Sequence, residues 1–164
     1  MATETSSVSD TWGIARGQAL AGVGAGVVGS ALFGLFMQFV MPPPLLETVI
    51  PAMYGVAAPA LAVGWALHLF HGAVLGLVYA LVVELAGLHE TATRTTGAVG
   101  LGIVYGLVTT AVLAVLVMPI WLGAVGFPNA PPFPNVAIPG TILSTAGHVV
   151  YAVPLALLYA SLTD

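Results

Sequence analysis

VAAPALAVGWALHLFHGAVLGLVYALVVEL, residues Val56 to Leu85, decides the fold. The only groups in it that ionise near neutral pH are His68, His71 and, at its end, Glu84. A bilayer core takes about 20 apolar residues of helix, and this run is long enough to cross one. Three more stretches have the same character: 18–41, 97–119 and 139–162. The first stops at Pro42-Pro43-Pro44 and the second stops before Gly87. Pro59 and Pro139 are expected in the first turns of their helices, where a missing N–H costs nothing. Pro154 falls inside the last helix, a position that membrane helices tolerate.

Composition leaves little alternative. Hydrophobic residues make up 59% of the 164 and charged residues 5%, against about 25% charged in soluble domains. The mean hydropathy is +1.08. So few charges cannot cover a water-facing surface, and the lipid bilayer is the implied surround. The chain has no cysteine, which excludes disulfides and thiolate metal sites. No basic run exists to hold nucleic acid. Met1 to Ser9 lack the basic start of a signal peptide, so the first apolar run reads as a retained helix.

The fold class is therefore all-α: an integral membrane four-helix bundle. A polar tail, 1–15, leads into a first half, 16–85, with helices 18–41 and 56–85. A loop, 86–96, joins it to a second half, 97–164, with helices 97–119 and 139–162. Arg16 and Arg94 fall on one side of such a bundle, and the excess of positive charge on the inner side makes that side cytoplasmic. Both termini are then cytoplasmic in the cell membrane, and the loops 42–55 and 120–138 lie outside. Tyr54, Trp121, Phe127 and Phe133 are placed to form an aromatic belt there.

The two halves match at a shift of 80 without a gap. Gly17, Gly22 and Gly26 meet Gly97, Gly102 and Gly106; Pro51 and Pro59 meet Pro131 and Pro139; His68 and Tyr79 meet His148 and Tyr159. Biased composition aligns Ala, Val and Leu by chance, but not His, Tyr, Pro and Gly together. The expectation is two tandem helical hairpins related by a pseudo-twofold axis along the membrane normal.

Each helix also carries small residues every fourth position. They are Gly22, Gly26, Ser30 and Gly34 in the first, and Gly64, His68, Gly72 and Gly76 in the second. Gly102, Gly106, Thr110 and Ala114 follow in the third, and Ser144, His148, Ala152 and Ala156 in the fourth. Residues four apart share a face, and backbones that approach closely are what hold helices together in lipid. Gly64, Gly72, Gly76, Ser144, Ala152 and Ala156 are thus the packing residues expected of helices two and four.

His68 and His148 are the candidate site. Each comes about 9 residues after its proline, roughly 13 Å along the axis, which is near mid-membrane, where ionisable groups are costly and mark function. Three roles fit: hydrogen bonding across a helix interface, to Ser144, a backbone carbonyl or each other; axial ligation of one haem b, or of a metal with His71 and Tyr151 as secondary groups; and the polar lining of a midplane transport site. Only Arg16 and Arg94 could meet haem propionates. His71 could reach Tyr79, Tyr151 or an acidic partner. Tyr79 and Tyr159 read as interfacial anchors, Glu84 and Asp164 as solvated ends, and His89, Glu90 and Glu47 as exposed loop charges. Thr109 and Thr110 need only bond to the backbone. No Ser-His-Asp set, intramembrane carboxylate pair or HExxH motif occurs, so an enzyme is not the expectation.

The acidic Ser/Thr-rich start and the patterns His68-Leu-Phe-His71-Gly and Gly147-His148-Val-Val-Tyr151 loosely resemble small multi-pass membrane proteins of halophilic archaea. That resemblance covers less than a fifth of the chain and implies no activity. From the residues, the leading expectation is a non-enzymatic packing or partner subunit, working with other membrane subunits or as a homo-oligomer. A haem- or metal-binding redox subunit and a small transporter stand as alternatives.

Overall fold

The computed structural model describes residues 14–41 and 45–164. The polar tail before residue 14 and the run Pro42 to Pro44 lie outside the described residues. Among the described residues the chain is helical, without a strand. Four helices are each long and apolar enough to cross a bilayer: α1, Arg16–Phe39; α2, Leu61–Leu85; α3, Thr95–Ala124; and α4, Gly140–Thr163. At 1.5 Å per residue, 24 residues reach about 36 Å, more than the roughly 30 Å of a hydrocarbon core.

The starts and stops follow local chemistry. The Ala15 N–H, orphaned at the head of α1, donates to the side-chain oxygen of Gln18 at 2.9 Å. Helix α2 begins at Leu61, later than Val56, and Pro59 lies two residues ahead of it rather than inside its first turn. At the other end Gly87 takes φ +66°, and Leu88 N–H closes back on Val83 O at 2.8 Å. A Cβ would be strained in that left-handed conformation, so glycine ends the helix there.

Helix α3 does not stop at Pro119. Residues Thr110–Val117 widen into a π-helical segment, and the helix continues to Ala124. Proline lacks the N–H that would bond a carbonyl one turn back. The carbonyls so freed are met from outside: Asn135 donates its backbone N–H to Val115 O at 3.0 Å and its Nδ2 to Ala114 O at 3.4 Å. The connection after α3 is thereby pinned to the helix it left.

Between α1 and α2 the chain turns back rather than running over the surface. A π-helical turn, Leu45–Val49, and a short helix, Ile50–Ala52, pack against α2 and α1. Leu46, Val49, Ile50 and Pro51 are all buried. Gly64 permits this: a Cβ there would fall 1.5 Å from Leu46 O.

The packing order is α2–α1–α4–α3, with α1 and α4 in the middle. Helices α1 and α2 meet through bare backbone. A Cβ at Gly76 would sit 2.1 Å from Gly22 O, and one at Gly26 would sit 2.2 Å from Gly72 O. Helices α1 and α4 cross where Gly29 faces Tyr151 O and Gly147 faces the Phe33 ring. Gly102 and Gly106 of α3 face Ala152, Val153 and Val149 of α4. The apolar exterior includes Phe70, Val74, Val78 and Val82 along one edge of α2 and Val104, Leu107, Val108 and Val112 on α3. Leu75 is not on that exterior; it is half-buried against the core.

Candidate functional site

Where α2, α1 and α4 converge, Phe33 of α1 stands between the two helices that carry the candidate histidines. Its ring centroid is 5.4 Å from that of His68 and 5.0 Å from that of His148. Both imidazoles therefore face one phenyl ring, and their separation cannot exceed the sum of those distances. Each is spoken for by a backbone carbonyl. His68 donates from Nε2 to Ser30 O across the α1–α2 interface at 2.9 Å. His148 donates from Nδ1 to Ser144 O one turn back on its own helix at 2.8 Å, with the Ser144 hydroxyl 3.5 Å away. These bonds fix the tautomers: neutral His68 carries its proton on Nε2, and neutral His148 on Nδ1.

The surround is tight and aromatic. Trp65 lies 6.3 Å from His68, centroid to centroid, and donates to the Gln38 side-chain oxygen at 2.9 Å. A Cβ at Gly34 would fall 2.3 Å from the Trp65 ring, and one at Gly147 would fall 2.1 Å from Phe33. The glycines beside the histidines are thus occupied by aromatic rings rather than leaving a slot. A haem between the imidazoles would have to displace Phe33 and take the Nε2 proton of His68 from Ser30.

His71 is on another side of α2. It shares a hydrogen bond of 2.5 Å with the Tyr54 hydroxyl, not with Tyr79, Tyr151 or a carboxylate. Tyr54 packs in turn on Trp121 of α3 at 5.4 Å, and Trp121 donates to Met53 O at 2.8 Å. The Tyr54 hydroxyl is pushed above its ordinary value of 10.0 by burial. These two aromatics join α2 to the end of α3 through the returning segment, a tertiary role beyond lining a membrane surface. Among the described residues no three His, Cys, Asp or Glu gather closely enough to hold a metal ion.

The six expected packing residues divide. Gly72 abuts Ser30, Gly76 abuts Gly22, and Gly64 abuts Leu46; Ala152 and Ala156 are fully enclosed in the core. Ser144 is only half-buried, and it serves His148 instead of a close crossing.

A second polar cluster was not foreseen from sequence. Tyr79 and Tyr159 are 2% and 0% exposed, so they are core residues rather than interfacial anchors. Tyr79 stands edge-on to Tyr105 at 5.3 Å and to Tyr159 at 5.6 Å. Tyr105 donates to Leu75 O at 2.7 Å, Tyr151 to Gly72 O at 3.0 Å, and Tyr159 to Glu84 Oε1 at 2.6 Å. The same carboxylate oxygen receives Nδ1 of His89 at 2.8 Å. Glu84, 13% exposed in its side chain, is therefore a half-buried junction of α2, α4 and the loop after α2 rather than a solvated end. The signal in the sequence was the count of tyrosines on facing helices, including Tyr105, which has no counterpart at the shift of 80.

Two hollows among the described residues are peripheral. One is a shallow apolar groove along Val78, Leu81, Val82, Leu85 and Ala86; the other is lined by Met37, Gln38, Leu45, Leu46, Glu47 and Leu61. Comparison with protein-family models, with curated proteins and with solved structures finds no match.

Proposed function

We propose that this chain is a non-enzymatic membrane subunit, a tightly packed helical scaffold that acts through its lipid-facing surface on other membrane-embedded helices or on copies of itself. The observation that carries this reading is the state of the two mid-bundle histidines. Each is bound to a backbone carbonyl, and Phe33 fills the space they face. His68 so placed ties α2 to α1, while His148 is bonded within its own helix, and both pack on the Phe33 ring rather than facing a ligand. The tertiary contacts use the small residues for the same end. Glycine contacts of this closeness fit a constitutive bundle, because in lipid they, and not apolar burial, supply the attraction.

We further read the chain as a duplicated hairpin whose copies have diverged. What supports it is that Gly22 and Gly26 pack on the second helix of their hairpin, as Gly102 and Gly106 pack on the second helix of theirs. The second pair sits about one turn away from the equivalent register, on Val149, Ala152 and Val153. Ala152 and Ala156, where the first copy has Gly72 and Gly76, account for this, since each methyl holds the backbones apart. The orientation we infer puts Arg16 and Arg94 in the cytoplasm, with the connection from 125 to 139 outside.

The test is purification in mild detergent, with an absorption spectrum and a mass measurement by light scattering. A colourless protein that runs as a defined oligomer, or that retains other membrane proteins, is the expected result. A Soret band lost in both His68→Ala and His148→Ala would replace this reading with the haem one. Histidine-dependent solute flux in liposomes would replace it with transport.

A further inference from the structure

Three edges of the bundle are closed at glycines, and the fourth is not. Helix α1 meets α2 at Gly22, Gly26, Gly72 and Gly76; α3 meets α4 at Gly102 and Gly106; and α1 meets α4 at Gly29 and Gly147. Across the α2–α3 edge no such contact exists among the described residues. The glycines of α2 look at α1 or Leu46, and those of α3 look at α4, at Thr91 or at open space. The edge is bridged instead by a long side chain. Tyr105 of α3 reaches over to donate to Leu75 O of α2 at 2.7 Å, and its ring stands edge-on to Tyr79 at 5.3 Å. Farther along, the returning segment intervenes, with Tyr54 between His71 and Trp121. The residues account for the gap. At the shift of 80, Gly29 and Gly147 of the closed α1–α4 edge correspond to Thr109 and Leu67, and the enclosed Ala25 corresponds to Tyr105. Larger side chains stand where the α2–α3 edge would otherwise close.

Close backbone approach supplies the attraction between helices in lipid, so the edge without it parts first. The closed state also carries a cost there. Tyr79 is 2% exposed, and its hydroxyl is the one buried side-chain polar atom among the described residues without a hydrogen-bond partner; such a group is costly away from water. Tyr79 lies about 9 Å from the end of α2 at Leu85, so parting at that end lets interfacial water reach it. We propose that the α2–α3 edge is a lateral gate of the bundle. Tyr105 latches it shut, the unpartnered hydroxyl of Tyr79 favours its opening, and the α1–α4 crossing opposite is the hinge. The gate goes beyond the scaffold reading. The duplicated hairpin supports only the comparison of edges; the missing glycine contacts stand without it.

The chain has no cysteine, so spin labels can be placed in pairs. Val78→Cys with Val104→Cys spans the α2–α3 edge, and Val28→Cys with Val74→Cys spans the α1–α2 edge; all four positions are exposed. In bilayer nanodiscs, pulsed electron–electron double resonance should give the α2–α3 pair a distance distribution at least about twofold broader, with a share at longer distances, as a locally opening element requires. Two hydroxyl deletions then act in opposite directions: Tyr105→Phe should raise the share of longer distances, and Tyr79→Phe should lower it. A narrower α2–α3 distribution than that in the unmodified background overturns the gate. So does a longer-distance share that both deletions move the same way, or that either leaves unchanged. The scaffold reading stands or falls separately, on the absorption spectrum and the mass.

Discussion

Gly76→Ala is the sharpest probe of what holds this bundle together. The added Cβ would lie 2.1 Å from Gly22 O and 2.7 Å from Gly26 Cα. Both are backbone atoms in the middle of a helix, so neither can swing aside. Ordinary contact begins near 3.4 Å, so α1 and α2 must part locally by about 1.3 Å. A gap of 0.5–1 Å already forfeits roughly a quarter to a half of each dispersion contact, and overpacking a close-packed interior costs about 1–3 kcal/mol. No gain in apolar burial offsets this, because the methyl leaves one apolar surround for another. A loss of about 2–3 kcal/mol lowers the melting temperature of a chain this size by roughly 5–10 °C. Val78→Ala, on the exposed edge of α2, is the control and should stay within about 0.5 kcal/mol. Thermal unfolding in detergent, followed by tryptophan fluorescence, reads both. A Gly76→Ala protein melting within a degree or two of wild type, or a Val78→Ala protein melting equally low, would refute the reasoning that backbone approach is the source of stability.

Gly64→Ala should expel the segment Leu45–Ala52, because its Cβ would overlap Leu46 O; protease cleavage within 45–52 should rise severalfold, and unchanged resistance would count against the packing described. His68→Ala and His148→Ala should each cost about 1–3 kcal/mol of stability, read as a melting-temperature drop, whereas no change in either would mean that their carbonyl bonds contribute nothing. Tyr54 has its hydroxyl raised above 10.0 by burial, so the native state keeps a proton that the unfolded chain releases. Its contribution is complete below pH 10 and declines as pH rises through the higher native value, so the melting temperature of Tyr54→Phe should fall less than that of wild type above about pH 10. For orientation, Asn129→Cys should react with an impermeant thiol reagent on intact cells and Glu90→Cys only after permeabilisation; the reverse pattern would invert the topology.

The four apolar helices were legible because lipid imposes a length and a composition that the chain states openly. Small residues at four-residue spacing likewise announced close crossings, and Gly72 and Gly76 are at one. The faces were harder to assign. Tyr79 and Tyr159 looked interfacial because depth along a helix was readable and its rotation was not. Glu84 looked solvated because its partners, Tyr159 and His89, come from another helix and from a loop, 75 and 5 residues away in sequence. For the histidines, the intervening ring came from α1, and nothing local to His68 or His148 pointed to Phe33. The returning segment was hidden as well, since Leu45 to Ala52 is apolar enough to pass for the frayed end of a helix or for a loop.

The π-helical stretch in α3 works as a gear change. Each residue of an ordinary α-helix advances the side chains by about 100°, while a turn closed from i to i+5 takes in one residue more. The stretch from Thr110 to Val117 therefore resets the angular phase of all that follows, letting Gly102 and Gly106 look at α4 while Trp121 looks at Met53. Deleting a single residue within it would let the helix rewind as plain α, turning Trp121 away from its partner and taking Pro119 out of line with Asn135. Length in that stretch, more than the identity of any one side chain, keeps the two ends of α3 in step.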